Sequence, residues 1–224
     1  MPPSASRSEY WQKHSNRIAG LQGKSVQAHD WCCDAAFRWN QSYIIGLIPD
    51  DRRLEILDVG CGNGLFTKPV AENHHLCGVD FSEGMVEYAC ANGLNAQQGS
   101  AEELPHDDES FDAVLSIEMI QCVPDFKNAI EEMARVLKPG GKLVLQTLNR
   151  RSWLRRLHRL IEENYKELHM FRSEELRELA EAEGLGVKSV VYNFYPVPLF
   201  GEFRGLRLLA EAGATSLVLI AEKK

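Results

Sequence analysis

Beyond Pro49-Asp50-Asp51 the chain keeps one rhythm almost to its end: a short apolar run, a turn, an amphipathic stretch, then another short apolar run. Strands are expected at Glu55 to Val59, Leu76 to Asp80, Asn95 to Gln98, Ala113 to Ile117, Lys142 to Thr147, Val187 to Tyr192 and Ser216 to Ala221. Strands separated by helix-length segments do not join as hairpins, so the spacing predicts βα units on one mostly parallel sheet of seven strands, with helices on both faces. Between the runs, helices are expected over Leu65 to Asn73, Gly84 to Ala91, Phe126 to Leu137, Ser173 to Glu183 and Phe203 to Glu211. In the third, Phe126, Ile130, Met133 and Leu137 recur at helical spacing, and Lys138-Pro139-Gly140-Gly141 is expected to stop it.

Ahead of the sheet, Tyr10 to Leu47 reads as helical and aromatic, with Tyr10, Trp11, Trp31, Phe37, Trp39 and Tyr43 around a break at Gly20 to Gly23. Residues 1–48 therefore form a helical extension, suited either to covering a site or to packing on the sheet, and 49–224 form one α/β domain. Asn149 to Phe171 exceeds an ordinary connection and reads as an insertion on the substrate side. Its arginines 150, 151, 155, 156 and 159 lie among Trp153, Leu154, Leu157, Leu160 and Ile161, so a helix over 150–161 pairs an apolar stripe with a basic face and suits weak peripheral membrane contact or packing on the protein itself.

Elsewhere the chain is acidic, with 25 Lys and Arg against 32 Asp and Glu and a net charge of -7, which disfavours a nucleic-acid partner and favours a small molecule. Cys32, Cys33, Cys61, Cys77, Cys90 and Cys122 show no CxxC pair and no histidine at zinc-finger spacing. They read as free thiols in a reducing cytoplasm. No apolar leader core opens the chain and no run of 18 apolar residues occurs, so a cytoplasmic protein is expected.

The chemistry concentrates in Leu54 to Gly64, LEILDVGCGNG, where an apolar strand ends near Asp58 and glycines follow at 60, 62 and 64. Glycines let backbone approach a ligand, and a following helix start would offer unpaired N–H groups. Asp80 ends the next strand 20 residues after Gly60, where a carboxylate can accept both ribose hydroxyls or cap the helix led by Ser82. No GK[ST] follows the glycines, and the third glycine comes one residue too early for GxGxxG. A P-loop and a dinucleotide site are poor fits.

Four blocks in order, LDVGCGNG, GVDFSEGMVEYA, GSAEELPHDDESFDAVLS and EEMARVLKPGGKLVL, together resemble the class I S-adenosylmethionine-dependent methyltransferases over about residues 50–224. SIEMIQCVPD and TLNRRSWL look like the ubiquinone-pathway O-methyltransferases, while LPHDDESFD is commoner among small-molecule and quinone C-methyltransferases, so the resemblance is nearest to the ubiquinone and menaquinone-pathway enzymes. The resemblance implies a Rossmann-like sheet with an antiparallel last strand, S-adenosyl-L-methionine as cofactor, and a small methyl acceptor, phenolic or quinone-like, with O-methylation favoured over N- or C-methylation. It places the methionine part of the cofactor against Gly60, Cys61 and Gly62 with Asp58 aiding the amine. Asp80 takes the ribose, Phe81 and Met85 flank adenine, Ser100, Ala101 and Glu102 meet its edge, and Ile117 offers backbone to the amine.

Where ubiquinone-type enzymes carry two carboxylates and a histidine suited to a divalent cation, this chain reads Glu118, Gln121 and Cys122, so no metal is expected. Glu118 remains to orient the acceptor or act as a base. Among His14, His29, His106, His158 and His169, His169 is the further catalytic candidate. A binder of the cofactor without turnover is the alternative from outside catalysis.

Overall fold

The computed structural model describes residues 34–161, 168–193 and 212–224. The expected helix at Phe203 to Glu211 and the extension ahead of Asp34 lie outside them. Helix α1 (Asp34–Ile45) precedes β1 (Glu55–Val59), β2 (His75–Asp80), α2 (Glu83–Ala91), β3 (Asn95–Gln98), β4 (Phe111–Ile117), α3 (Phe126–Val136) and β5 (Leu137–Leu148). There follow α4 (Trp153–Ile161), α5 (Ser173–Ala182), β6 (Leu185–Asn193) and β7 (Ser216–Lys223). The strands form one sheet in the order β3-β2-β1-β4-β5-β7-β6. The first five are mutually parallel, and β7 runs antiparallel to both β5 and β6. Connections leave β1 toward one edge and resume at β4 toward the other, and that reversal opens a crevice at the carboxyl ends of β1 and β4.

The two-residue strand period sorts the core onto the two faces. Leu57, Val59, Val114, Leu143, Leu145, Leu217 and Leu219 pack on one side with Ile130 and Met133 of α3 and Leu176 of α5. Ile56, Ala113, Leu115, Val144 and Val218 pack on the other with Phe37 and Ile44 of α1. Helix α3 starts where the Asp125 carboxylate accepts the Asn128 N–H, and it buries Ala129, Ile130, Met133 and Ala134.

Two local expectations are corrected. The stretch after β1 is not an α-helix: only a 3-10 turn forms at Lys68–Glu72. Pro69 has no N–H to return to the Leu65 carbonyl. That carbonyl and the one of Phe66 instead accept from Gln41 Nε2 on α1, at 3.0 and 2.7 Å. The helix over 126–136 does stop just ahead of Lys138-Pro139-Gly140-Gly141, but β5 takes in that tetrapeptide, beginning at Leu137 rather than at Lys142. The insertion is pinched at its neck, where Asn149 bridges Phe171, Arg150 N–H donates to the Phe171 carbonyl at 2.8 Å and Phe171 N–H to the Leu148 carbonyl at 3.0 Å.

Candidate active site

The glycine loop sits at the mouth of the crevice and is shaped by residues with positive φ: 78° at Gly60, 54° at Gly62 and 75° at Gly64. Gly60 and Cys61 N–H both donate to the Val79 carbonyl, at 2.7 and 3.1 Å, which curls the loop over the end of β2. A Cβ on Gly60 would stand 2.2 Å from Met119 Cγ, so glycine is demanded there by conformation and by space.

Asp80 closes the loop from the neighbouring strand. Its Oδ2 accepts the Gly62 N–H at 2.8 Å and its Oδ1 accepts the Ser82 N–H at 2.9 Å. Ser82 in turn caps α2 by accepting from Met85 N–H at 3.3 Å. Ribose acceptor and helix support are thus compatible roles, since each carboxylate oxygen has a second lone pair.

Asp58 is almost fully enclosed, 3% exposed, and accepts a 2.5 Å hydrogen bond from Thr67 Oγ1. Burial raises its pKa to about 7, with the Thr67 bond opposing and the nearby Asp80 charge assisting. Burial, followed by the charges of Asp58 and Asp80, pushes the Cys61 thiol well up, so Cys61 is no ready nucleophile. Past β2, Phe81 is 44% exposed whereas Met85 is buried. Ser100 Oγ accepts the Glu102 N–H at 3.1 Å, and Glu102 Oε1 accepts the Asp125 N–H at 2.7 Å, tying this stretch to the start of α3.

The end of β4 carries a polar assembly around Glu118, whose φ is 54°. Oε1 accepts from Gln146 Nε2 at 3.0 Å and from Ser216 Oγ at 2.8 Å. Oε2 accepts from Gln121 Nε2 at 3.0 Å, and Gln121 Oε1 accepts from Thr147 Oγ1 at 2.9 Å. Behind Gln146, its Oε1 accepts from Asn40 Nδ2, and Asn40 Oδ1 accepts from Asn193 Nδ2, both at 2.8 Å. Sequence reasoning found Glu118 and Gln121 but missed Thr67, Asn40, Gln146, Thr147, Asn193 and Ser216.

His169 reaches this strand end through its backbone, its N–H donating to the Gln121 carbonyl at 3.0 Å. Its ring stacks on Phe126, centroids 4.4 Å apart, and meets Phe171 edge-on at 4.5 Å. Nε2 lies 3.1 Å from Glu175 Oε1. His106 is elsewhere, edge-on to Phe111, its pKa lowered by burial and then by Arg135. His14 and His29 lie outside the described residues, and His158 is on α4. Among the described residues no cluster of three His, Cys, Asp or Glu side chains could hold a metal ion.

Comparison with known proteins agrees with this geometry. A family model described as a methyltransferase domain matches residues 57–145. A ubiquinone biosynthesis O-methyltransferase of Coxiella burnetii is 32% identical over 66% of this chain and 70% of its own length. One of Alkalilimnicola ehrlichii is 40% identical, but over 42% of each chain. In structure, an S-adenosylmethionine-dependent methyltransferase of Thermotoga maritima, described as a possible histamine N-methyltransferase, superposes with a TM-score of 0.76 at 27% identity, covering 95% of this chain and 99% of its own. With its domain, sheet order and glycine loop in agreement, the chain belongs to the S-adenosylmethionine-dependent methyltransferases.

Proposed function

We propose that the protein moves the methyl group of S-adenosylmethionine to a hydroxyl of a small phenolic or quinone-like acceptor. The observation that carries this reading is the acidic pair at the switch point: buried Asp58 and loop-closing Asp80 flank a glycine loop that admits backbone contact. Two neighbouring carboxylates are better matched by a cationic, hydroxyl-bearing ligand than by a phosphate. The residues fit the cofactor: Gly60, Cys61 and Gly62 with Asp58 for its methionine part, Asp80 for the ribose, Phe81 and Met85 for adenine, Ser100 to Glu102 for the adenine edge, and the Ile117 backbone for the amine. When bound, it supplies a methyl group on a positively charged sulfur.

On the acceptor side, His169 takes the hydroxyl proton, and Glu118 holds the strand end in shape. A phenol with pKa about 10 benefits from a base at neutral pH, whereas a neutral amine does not. The relatives named as ubiquinone O-methyltransferases support a hydroxyl acceptor. The relative named as a possible histamine N-methyltransferase keeps amines in the screen. Purified protein with methyl-labelled cofactor should label catechols and phenols and release S-adenosylhomocysteine. Labelling confined to amines would overturn the acceptor class, and no release with any acceptor would favour a binder.

Among the described residues no helix is long and apolar enough to cross a membrane. Helix α4 nevertheless exposes Trp153 (62%), Leu157 (45%) and Leu160 (81%), beside exposed Arg156 and Arg159. Arg151 pairs with Glu174, and Arg155 Nε donates to the Thr215 carbonyl. We assign α4 to reversible contact between a cytoplasmic enzyme and the surface holding a lipophilic acceptor, each exposed arginine adding about 1 kcal/mol near anionic lipid. Co-sedimentation with anionic vesicles at low salt, lost at high salt and with Trp153→Ser, is expected; equal absence from anionic and neutral vesicles would refute it.

A further inference from the structure

We propose that Glu175 is the positioning residue of His169, and that the two act as a carboxylate–imidazole pair on the acceptor proton. The inference rests on the methyl-transfer reading above and adds a second member to its acid–base machinery. Glu175 Oε1 is 3.1 Å from His169 Nε2, while its Oε2 accepts the Arg172 N–H at 3.3 Å at the first turn of α5. One carboxylate group therefore joins the ring to a rigid helix start. An ionised carboxylate only accepts hydrogen bonds, so it selects the tautomer with the proton on Nε2 and leaves Nδ1 with a lone pair. Phe126 and Phe171 fix the ring plane from a face and an edge, and the backbone N–H fixes the residue to Gln121 beside Glu118. The ring is 22% and Glu175 31% exposed, so the pair is reachable from solvent but largely walled.

In the step, the acceptor O–H proton passes to His169 Nδ1, and the freed oxygen lone pair forms the bond to the methyl carbon. The carbon–sulfur bond breaks with its electron pair returning to sulfur, which becomes a neutral thioether. The imidazolium so formed is stabilised by Glu175 and returns its proton to solvent after release. A capping role alone would satisfy Arg172 but would not need Oε1 to face the ring.

The test begins with a spectrum that needs no turnover. Full-length protein labelled with ¹⁵N-histidine, read by long-range ¹H–¹⁵N correlation at pH 8, should show His169, identified by its loss in His169→Asn, as the Nε2–H tautomer. Glu175→Leu should turn that signal into an average of both tautomers, and Glu175→Gln, which keeps the side-chain shape should the leucine variant not fold, should shift it part of the way. With a phenol found to be methylated, each single variant should lower kcat by roughly tenfold or more at unchanged cofactor Kd. Glu175→Leu should then cost nothing further in the His169→Asn background. An Nδ1–H tautomer in the native protein, or losses that multiply in the double variant, would overturn the pairing. Absence of turnover in the native protein would instead sink the parent reading, and the spectrum would still decide whether Glu175 holds the ring.

Discussion

Asp58 offers the most direct test of the site's electrostatics. Its pKa in the folded protein is about 7 against an ordinary 3.8, mainly through burial. The folded protein therefore keeps the Asp58 proton at pH values where the unfolded chain has lost it. By linkage, stability from this group is present in acid and falls as pH rises from about 4 to about 7, then levels off. At 1.36 kcal/mol per unit, the difference of about three units amounts to roughly 4 kcal/mol for this fully buried group. Asp58→Asn imitates the neutral acid and can still accept from Thr67. Relative to the native protein, the variant should gain stability between pH 5 and pH 8, by about 2 to 4 kcal/mol once a partly unsatisfied amide is allowed for. Asp112, held down to about 2 against burial by the Glu55 N–H and then by Arg52 and Lys138, and His106, lowered by burial, titrate identically in both proteins and cancel. Urea denaturation at several pH values reads the difference. A cationic cofactor should also ionise Asp58, so binding at pH 6 should expel close to one proton, seen by calorimetry in buffers of different ionisation enthalpy and absent in Asp58→Asn. Parallel stability curves for the two proteins from pH 5 to 8 would refute the reasoning.

Gly60→Ala should lower stability by about 2 to 5 kcal/mol in thermal unfolding, because it combines a left-handed alanine with a Cβ 2.2 Å from Met119 Cγ, and Met119→Ala should restore only the steric part. Asp80→Ala should weaken cofactor binding by roughly 1.5 to 3 kcal/mol in calorimetry and also lower the melting temperature of the free protein, since Gly62 and Ser82 lose a charged acceptor; an unchanged Kd with a lowered melting temperature would leave Asp80 as a support alone. Turnover should survive EDTA, because Gln121 stands where a carboxylate would be needed and spends both its amide groups on Glu118 and Thr147; loss reversed by magnesium would contradict this.

What the sequence disclosed was what local chemistry decides. Glu55–Val59 falls where an apolar run ends in turn residues, and the three positive-φ glycines mark their loop without help from distant residues. The stretch after β1 departs from a helix because Pro69 withholds an N–H from the Leu65 carbonyl, and what replaces it is out of local reach: Gln41 takes the Leu65 and Phe66 carbonyls from 24 and 25 residues away. The network around Glu118 was hidden for the same reason: Gln146 and Ser216 reach it across separations of 28 and 98 residues, set by the strand order β4-β5-β7. Glu175 gave no signal either, because Arg172 occupies the position where a Ser or Thr would have announced a capping box.

That network also accounts for the backbone of Glu118. A non-glycine residue at φ 54° costs on the order of 1 to 3 kcal/mol. Three donors to its carboxylate, each contributing about 1.5 kcal/mol or more, outweigh that cost. The conformation then fixes what lies on either side. Met119, next in the chain, packs on Gly60 of the glycine loop, while Gln121 two residues on holds the backbone of His169. Removing the donors should therefore release the strain and loosen both halves of the site together: Ser216→Ala with Gln146→Leu should weaken cofactor binding and broaden the His169 ring signals at once. A loss confined to one of the two would mean that the glycine loop and the His169 side are held independently.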